Sequence, residues 1–188
     1  MFIYHPEINF SLLDYGIEVP MLNQRVEQIF NWVQSNIDKS LLDSKYWLGQ
    51  SFEKIEKERL LYAHHENFVE LSHVAPSKEL FKTFELYDND GNLNRYDPNK
   101  ATKNLDELHN TILKHMEGSR LACEYARKNG FAFYLGGGLH HAMSFGGRGF
   151  CHYNDIVINA LYLQKEFGHK NIWVIDVDAH KGDGTAEL

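Results

Sequence analysis

The chain has 188 residues, 43% of them hydrophobic and 24% charged, and a formal net charge of −7. That length and apolar share suit one domain with a single buried core. The acidic balance disfavours direct nucleic-acid binding, which draws affinity from basic patches, and no apolar run is long enough to span a membrane or to read as a signal peptide.

Taken in chain order, the first clear element follows Pro20. Residues 22–37 read as an amphipathic helix with Val26, Ile29, Phe30 and Val33 on one side. Residues 87–102 are rich in Asp, Asn, Gly and Pro. Within them, Asp88-Asn89-Asp90-Gly91-Asn92 has its glycine fourth, where a calcium loop needs it sixth, and no glutamate at position twelve, so it reads as a turn. A longer helix is expected over 105–128, closed by Asn129-Gly130. The apolar run Phe131-Ala132-Phe133-Tyr134-Leu135 reads as a strand. It ends in Gly136-Gly137-Gly138, which lets the backbone turn sharply and approach another group closely. This loop is not a dinucleotide fingerprint, since G-x-G-x-x-G opening a helix is absent.

His140 and His141 come next. In such a loop both imidazoles can face one cleft, although His64-His65 shows that paired histidines also occur outside this context. Asn154 is a good N-cap for a helix running to Phe167, with Gly168 beyond its end. The β-branched run Ile172-Trp173-Val174-Ile175 reads as a buried parallel strand. A helix thus separates strands near 131–135 and 171–177, an order that favours parallel pairing and an α/β class. The two cysteines, Cys123 and Cys151, give no disulfide framework and read as buried thiols.

The second strand runs into Asp176-Val177-Asp178-Ala179-His180-Lys181-Gly182-Asp183-Gly184. Alternation along an extended chain would send Asp176, Asp178 and His180 to one side, beyond the carboxyl end of a strand, where open parallel sheets bind ligands. One carboxylate and one imidazole, Asp178 and His180, suit Zn²⁺, whose catalytic sites take three protein ligands and leave a position for water. Asp176 and Asp183 fit as partners that orient imidazoles. The plainer alternatives are an oxygen-ligand Mg²⁺ site or, for Asp183, a cap on a helix beginning near Thr185.

Three ordered segments carry a family resemblance: Gly136-Gly137-Gly138-Leu139-His140-His141-Ala142; Gly147-Arg148-Gly149-Phe150-Cys151-His152-Tyr153-Asn154-Asp155-Ile156; and Asp176 to Gly184. Together they resemble the zinc-dependent histone deacetylases, most closely the class IV and bacterial deacetylase-like branches. Weaker similarity extends through Leu60 to Val69. The resemblance implies a three-layer αβα fold with a mainly parallel sheet, as in arginases and deacetylases, incomplete here, with residues 1–188 forming the N-terminal portion of one catalytic domain. It makes His140 and His141 the tandem catalytic imidazoles, partnered by Asp176 and Asp183. Asp178 and His180 become zinc ligands, and Asp176 also helps hold K⁺ with main-chain oxygens of Asp178 and His180. Gly149, through its carbonyl, and Phe150, as a tunnel wall, would bind an acyl-lysine side chain, and Asp88 or Asp97 the substrate backbone.

The implied reaction is amide hydrolysis on acetylated lysine in proteins or on acetylated polyamines, in the cytoplasm or, in a eukaryote, the nucleus. An acidic surface is compatible with such cationic substrates. Family members take a third zinc ligand, an aspartate, and usually an oxyanion tyrosine from beyond the D-x-D-x-H motif. The chain stops at Leu188, so a C-terminal segment of the same domain is the expected partner. Two other readings stand beside this one. One is an arginase-like Mn²⁺ ureohydrolase, disfavoured by the tandem histidines; the other is a non-catalytic homologue that binds acylated ligands.

Overall fold

The computed structural model describes residues 1–5, 8–9, 11–19, 25–37 and 52–188. Its spine is the helix α5, Leu105–Asn129. The side chain of Asn104 caps its start by accepting from the Asp106 amide at 2.9 Å, and Gly130, at φ 91°, ends it in the left-handed conformation. Asp106 and Glu107 lie in the first turn and Arg127 and Lys128 in the last, each favourable to the helix dipole. Leu105, Leu108, His109, Ile112, Leu113 and Met116 form one buried stripe at helical spacing.

The shorter helices α2 (Lys57–Leu60), α3 (Glu66–Val74) and α4 (Pro76–Thr83) precede it, and α6 (Asp155–Phe167) follows. Leu60, Phe68, Val69, Leu80 and Phe84 join the α5 stripe and Tyr153 and Ile158 in the larger core. A smaller core of Ile3, Tyr4, Ile8, Phe52, Ala122 and Leu135 lies along the C-terminal half of α5. Here β1 (Phe2–Ile3) and β2 (Phe133–Tyr134) pair in parallel, Phe2 opposite Phe133 and Ile3 opposite Tyr134. Gly118 of α5 lets this sheet approach: a Cβ there would lie 2.5 Å from the Tyr134 hydroxyl, which donates to the His115 carbonyl at 3.0 Å.

The expected helices are present, with α6 capped by the Asn154 side chain accepting from the Val157 amide and closed by Gly168. Of residues 22–37, the first three lie outside the described residues and α1 spans Arg25–Asn36. Val33 is buried and Val26 and Phe30 pack on the smaller core, but Ile29 is exposed, which narrows the expected apolar side. The Asp88 turn forms, its carboxylate accepting the amides of Asp90 and Asn92. Cys151 is buried and Cys123 half-buried; burial pushes both thiols up to about 11, far from the thiolate needed for reactivity.

One expectation fails. Residues 171–177 form no strand, and the parallel pairing of this run with 131–135 is not made; β2 pairs with the N-terminal β1 instead. Trp173 is 88% exposed, Ile175 86% and Val177 92%. A strand exists through backbone bonds to a neighbour, and among the described residues none pairs with this run. The observed sheet is therefore small and parallel within a largely helical body. Among the described residues no helix is long and apolar enough to cross a membrane.

Candidate active site

The site is built where the glycine loop after β2, the arch 141–154 and the segment 176–188 meet. Asp155, the first residue of α6, is 4% exposed and holds the glycine loop. Its carboxylate accepts the amides of Gly138 (3.2 Å) and Leu139 (2.8 Å) and the Ser119 hydroxyl (2.7 Å). Gly137, at φ +73°, passes so close that a Cβ would fall 2.4 Å from the Asp155 carboxylate. This anchors the residue before His140.

Each tandem imidazole has its own carboxylate. His140 Nδ1 lies 2.7 Å from Asp176 Oδ2, and His141 Nδ1 lies 2.6 Å from Asp183 Oδ1. The two rings stand 4.1 Å apart between centroids. Hydrogen bonding from His140, and from the Asp178 amide, holds the Asp176 carboxyl below its usual range; the bond from His141 does the same for Asp183. An ionised carboxylate only accepts, so each Nδ1 carries a proton toward its carboxylate and Nε2 is the ring nitrogen left for other partners. Arg148 adds a second partner to Asp183 at 3.3 Å.

The C-terminal segment seats directly on these residues. The Thr185 amide donates to the His140 carbonyl at 2.9 Å, and a Cβ on Gly184 would lie 2.3 Å from the Ala142 carbonyl oxygen. Asp183 opens the short helix α7 (Asp183–Glu187) and also accepts the Gly184 amide at 3.2 Å, so it is both helix residue and histidine partner.

Gly149 and Phe150 close the arch over His141. A Cβ on Gly149, at φ +54°, would lie 2.8 Å from the His141 ring. Phe150 takes φ 66°, a conformation rare outside glycine; its amide bonds the Thr83 carbonyl and its ring stacks on Phe84. The Arg95 guanidinium lies 5.7 Å over the Phe150 ring, which brings loop 87–102 beside the site. Asp88 and Asp97 bond within their own turns.

Asp178 and His180 stand on the open side. The His180 side chain is 79% exposed and that of Asp178 51%, with His180 Nδ1 3.1 Å from Asp178 Oδ1 and the His180 ring 6.0 Å from that of His141. The backbone bends at 179–180, so the extended path expected through His180 does not persist. The Asp178 carboxyl is held below its usual range, first by the His180 amide and then by its ring. Among the described residues no group of three or more His, Cys, Asp or Glu side chains is arranged to hold a metal ion. The donor chemistry of Asp178 and His180 fits two of the three ligands of a catalytic zinc.

Sequence reasoning missed Asp155, Arg148 and His64. His64 is buried, and its two nitrogens bond the Met143 carbonyl and the Asn154 amide. Its only sequence signal was the weak upstream similarity.

Two imidazoles, each bonded to its own carboxylate, thus stand beside a solvent-facing carboxylate and imidazole. The chain belongs to the histone deacetylase domain family, whose model matches residues 19–188. It is 58% identical over 52 residues to the acetoin utilization protein AcuC of Staphylococcus aureus (strain COL), covering 28% of this chain and 13% of that protein. The AcuC protein of Staphylococcus xylosus is 48% identical over 52 residues, with the same coverage. An uncharacterized protein of Picosynechococcus is 39% identical over 69 residues, 37% of this chain and 23% of that relative. The matched segments thus span under a quarter of these curated relatives.

Proposed function

We propose that this chain carries the tandem-histidine part of a zinc-dependent deacetylase site that removes acetyl or other acyl groups from lysine side chains or related amines. The observation that carries the reading is the pair of imidazole–carboxylate bonds at 2.7 and 2.6 Å, made across 36 and 42 residues of sequence. Such a pairing fixes two ring tautomers at once, as acid–base work at an amide requires.

In this reading Asp178 and His180 supply two zinc ligands, and a third comes from outside the described residues. Bound zinc would polarise the acyl carbonyl and lower the pKa of water. His141 takes the proton from attacking water through Nε2 and returns it to the departing amine, while Asp183 steadies the imidazolium so formed. His140, bonded to Asp176, stands beside it as the second imidazole of the pair. The Asp176 carboxylate, with main-chain oxygens of Asp178 and His180, would also hold K⁺. Gly149 and Phe150 line the approach of an acyl-lysine chain, Gly149 through its carbonyl. The full three-layer αβα sheet belongs to this reading, and the cytoplasm is the expected compartment.

The test uses the intact protein, an acetyl-lysine peptide and metal analysis. His141→Ala should keep its zinc and lose turnover by roughly 10² to 10⁴, whereas Asp178→Ala and His180→Ala should lose stoichiometric zinc. Unchanged turnover in the first variant, or full zinc in both others, would defeat the reading.

A further inference from the structure

We infer that His64 is a positioning residue that braces the base of the arch 141–154, fixing the tandem histidines through one ring nitrogen and the Gly149–Phe150 wall through the other. This rests on the deacetylase reading of the site.

The chain turns at Ala63-His64-His65 between α2 and α3. His65 remains at the surface as the N-cap of α3, accepting the Asn67 amide at 3.2 Å, while its own amide donates to the Ser144 carbonyl at 2.9 Å. His64 turns inward and is 3% exposed. Its ring sits between Phe68 and Tyr153, with centroids 5.5 and 5.4 Å away.

The two nitrogens face opposite demands. Nδ1 is 2.9 Å from the Met143 carbonyl, which can only accept, so Nδ1 must carry the proton. Nε2 is 2.9 Å from the Asn154 amide, which can only donate, so Nε2 must be bare. Only the neutral Nδ1–H tautomer satisfies both; the imidazolium would set one N–H against another. Desolvation also disfavours the charged ring and lowers its pKa to about 4.

Met143 lies two residues past His141, and Asn154 ends the stretch that carries Gly149 and Phe150. The Asn154 side chain closes the same base from within, donating to the Ala142 carbonyl at 3.3 Å and the Thr185 hydroxyl at 3.1 Å. One ring therefore ties the foot of the arch that presents the proposed base to the foot that presents the proposed substrate wall. The second foot is also held from α3, where the Ser72 hydroxyl lies 3.2 Å from His152 Nε2.

The two duties separate by substitution. His64→Asn places an amide nitrogen where Nδ1 stood, keeping the Met143 bond and abandoning the Asn154 amide. His64→Gln places an acceptor oxygen where Nε2 stood, with the opposite result. His64→Phe keeps the ring and loses both bonds.

With an acetyl-lysine peptide and the intact protein, His64→Asn should raise KM about 10-fold with kcat within a few-fold, and His64→Gln should lower kcat about 10- to 100-fold with KM within a few-fold, since misplaced catalytic groups act on turnover. His64→Phe should show both defects. Equal effects of Asn and Gln on both constants would mean plain packing and overturn the inference. Two readouts stand apart from activity. The ¹⁵N resonances of His64 at neutral pH should show a protonated Nδ1 and a bare Nε2, and the Asn154 amide should exchange slowly in the unmodified protein and in His64→Gln but fast in His64→Asn. If the unmodified protein lacks deacetylase turnover, the deacetylase reading fails. The exchange pattern then decides the brace alone, and equal protection of Asn154 in all variants would overturn it.

Discussion

Asp155→Ala is the sharpest test of how the glycine loop is held. The carboxylate is 4% exposed and accepts the amides of Gly138 and Leu139 together with the Ser119 hydroxyl. Alanine cannot accept, so two backbone N–H groups in a half-buried loop lose their partner at about 1–3 kcal/mol each. Loss of a charge from the first turn of α6 adds about 0.3–1 kcal/mol. The expected loss of stability is about 2–7 kcal/mol, a fall in Tm of roughly 5–25 °C at the 2–4 °C per kcal/mol usual for this size. The effect should also be local, because Leu139 adjoins His140: the Gly138 and Leu139 amides should exchange faster, while those in the middle of α5 follow only the global change. Thermal unfolding and native-state hydrogen exchange read both quantities. A Tm within 2 °C of the unmodified protein, with unchanged exchange at Gly138 and Leu139, would refute the argument, the shift being about the least that 1 kcal/mol produces.

Gly149→Ala should reduce deacetylase turnover more than it reduces Tm, since its Cβ would fall 2.8 Å from the His141 ring at a φ of +54°; full kcat would show that the arch gives way freely. The pH dependence of stability has a definite sign. His64 and His109 are both lowered from 6.5 to about 4, chiefly by burial, so the unfolded chain binds protons that the native one refuses. Their contribution is complete above pH 6.5 and declines as the pH falls towards 4, by at most roughly 3 kcal/mol each. Urea midpoints should drop between pH 7 and 5, and a flat profile would count against both burials. Gly118→Leu should destabilise the smaller core and the β1–β2 pair, because even a Cβ would lie 2.5 Å from the Tyr134 hydroxyl; an unchanged urea midpoint would contradict that packing.

Helices α5 and α6 were legible in the sequence because each carries its own punctuation. Asn104 and Asn154 cap α5 and α6, and Gly130 and Gly168 end them in the left-handed conformation, all through contacts within a turn or two. The carboxylate pairing of His140 and His141 was legible through the family resemblance, and the geometry brings the same partners together. What stayed hidden depends on distant partners. Residues 171–177 have strand composition, yet a strand is a property of two segments, and this run has no neighbour among those described. The two-residue β1 is too short to show a period. His64 was discounted because a histidine's role lies in what faces it, here Met143 and Asn154, 79 and 90 residues away. Asp155 hid behind Asn154, whose capping role already explained the start of α6.

The exposure of Trp173 gives the protein a built-in optical gauge. The chain has three tryptophans, and this one stands three residues before Asp176 with its indole 88% in water. Emission from an indole depends on the polarity around it, so any polypeptide laid across residues 171–177 would shift the colour of Trp173 fluorescence as it excluded solvent. Because Asp176 is bonded to His140, that colour change would report, without label or substrate, on the covering of the very segment that carries the carboxylate to the first of the tandem histidines.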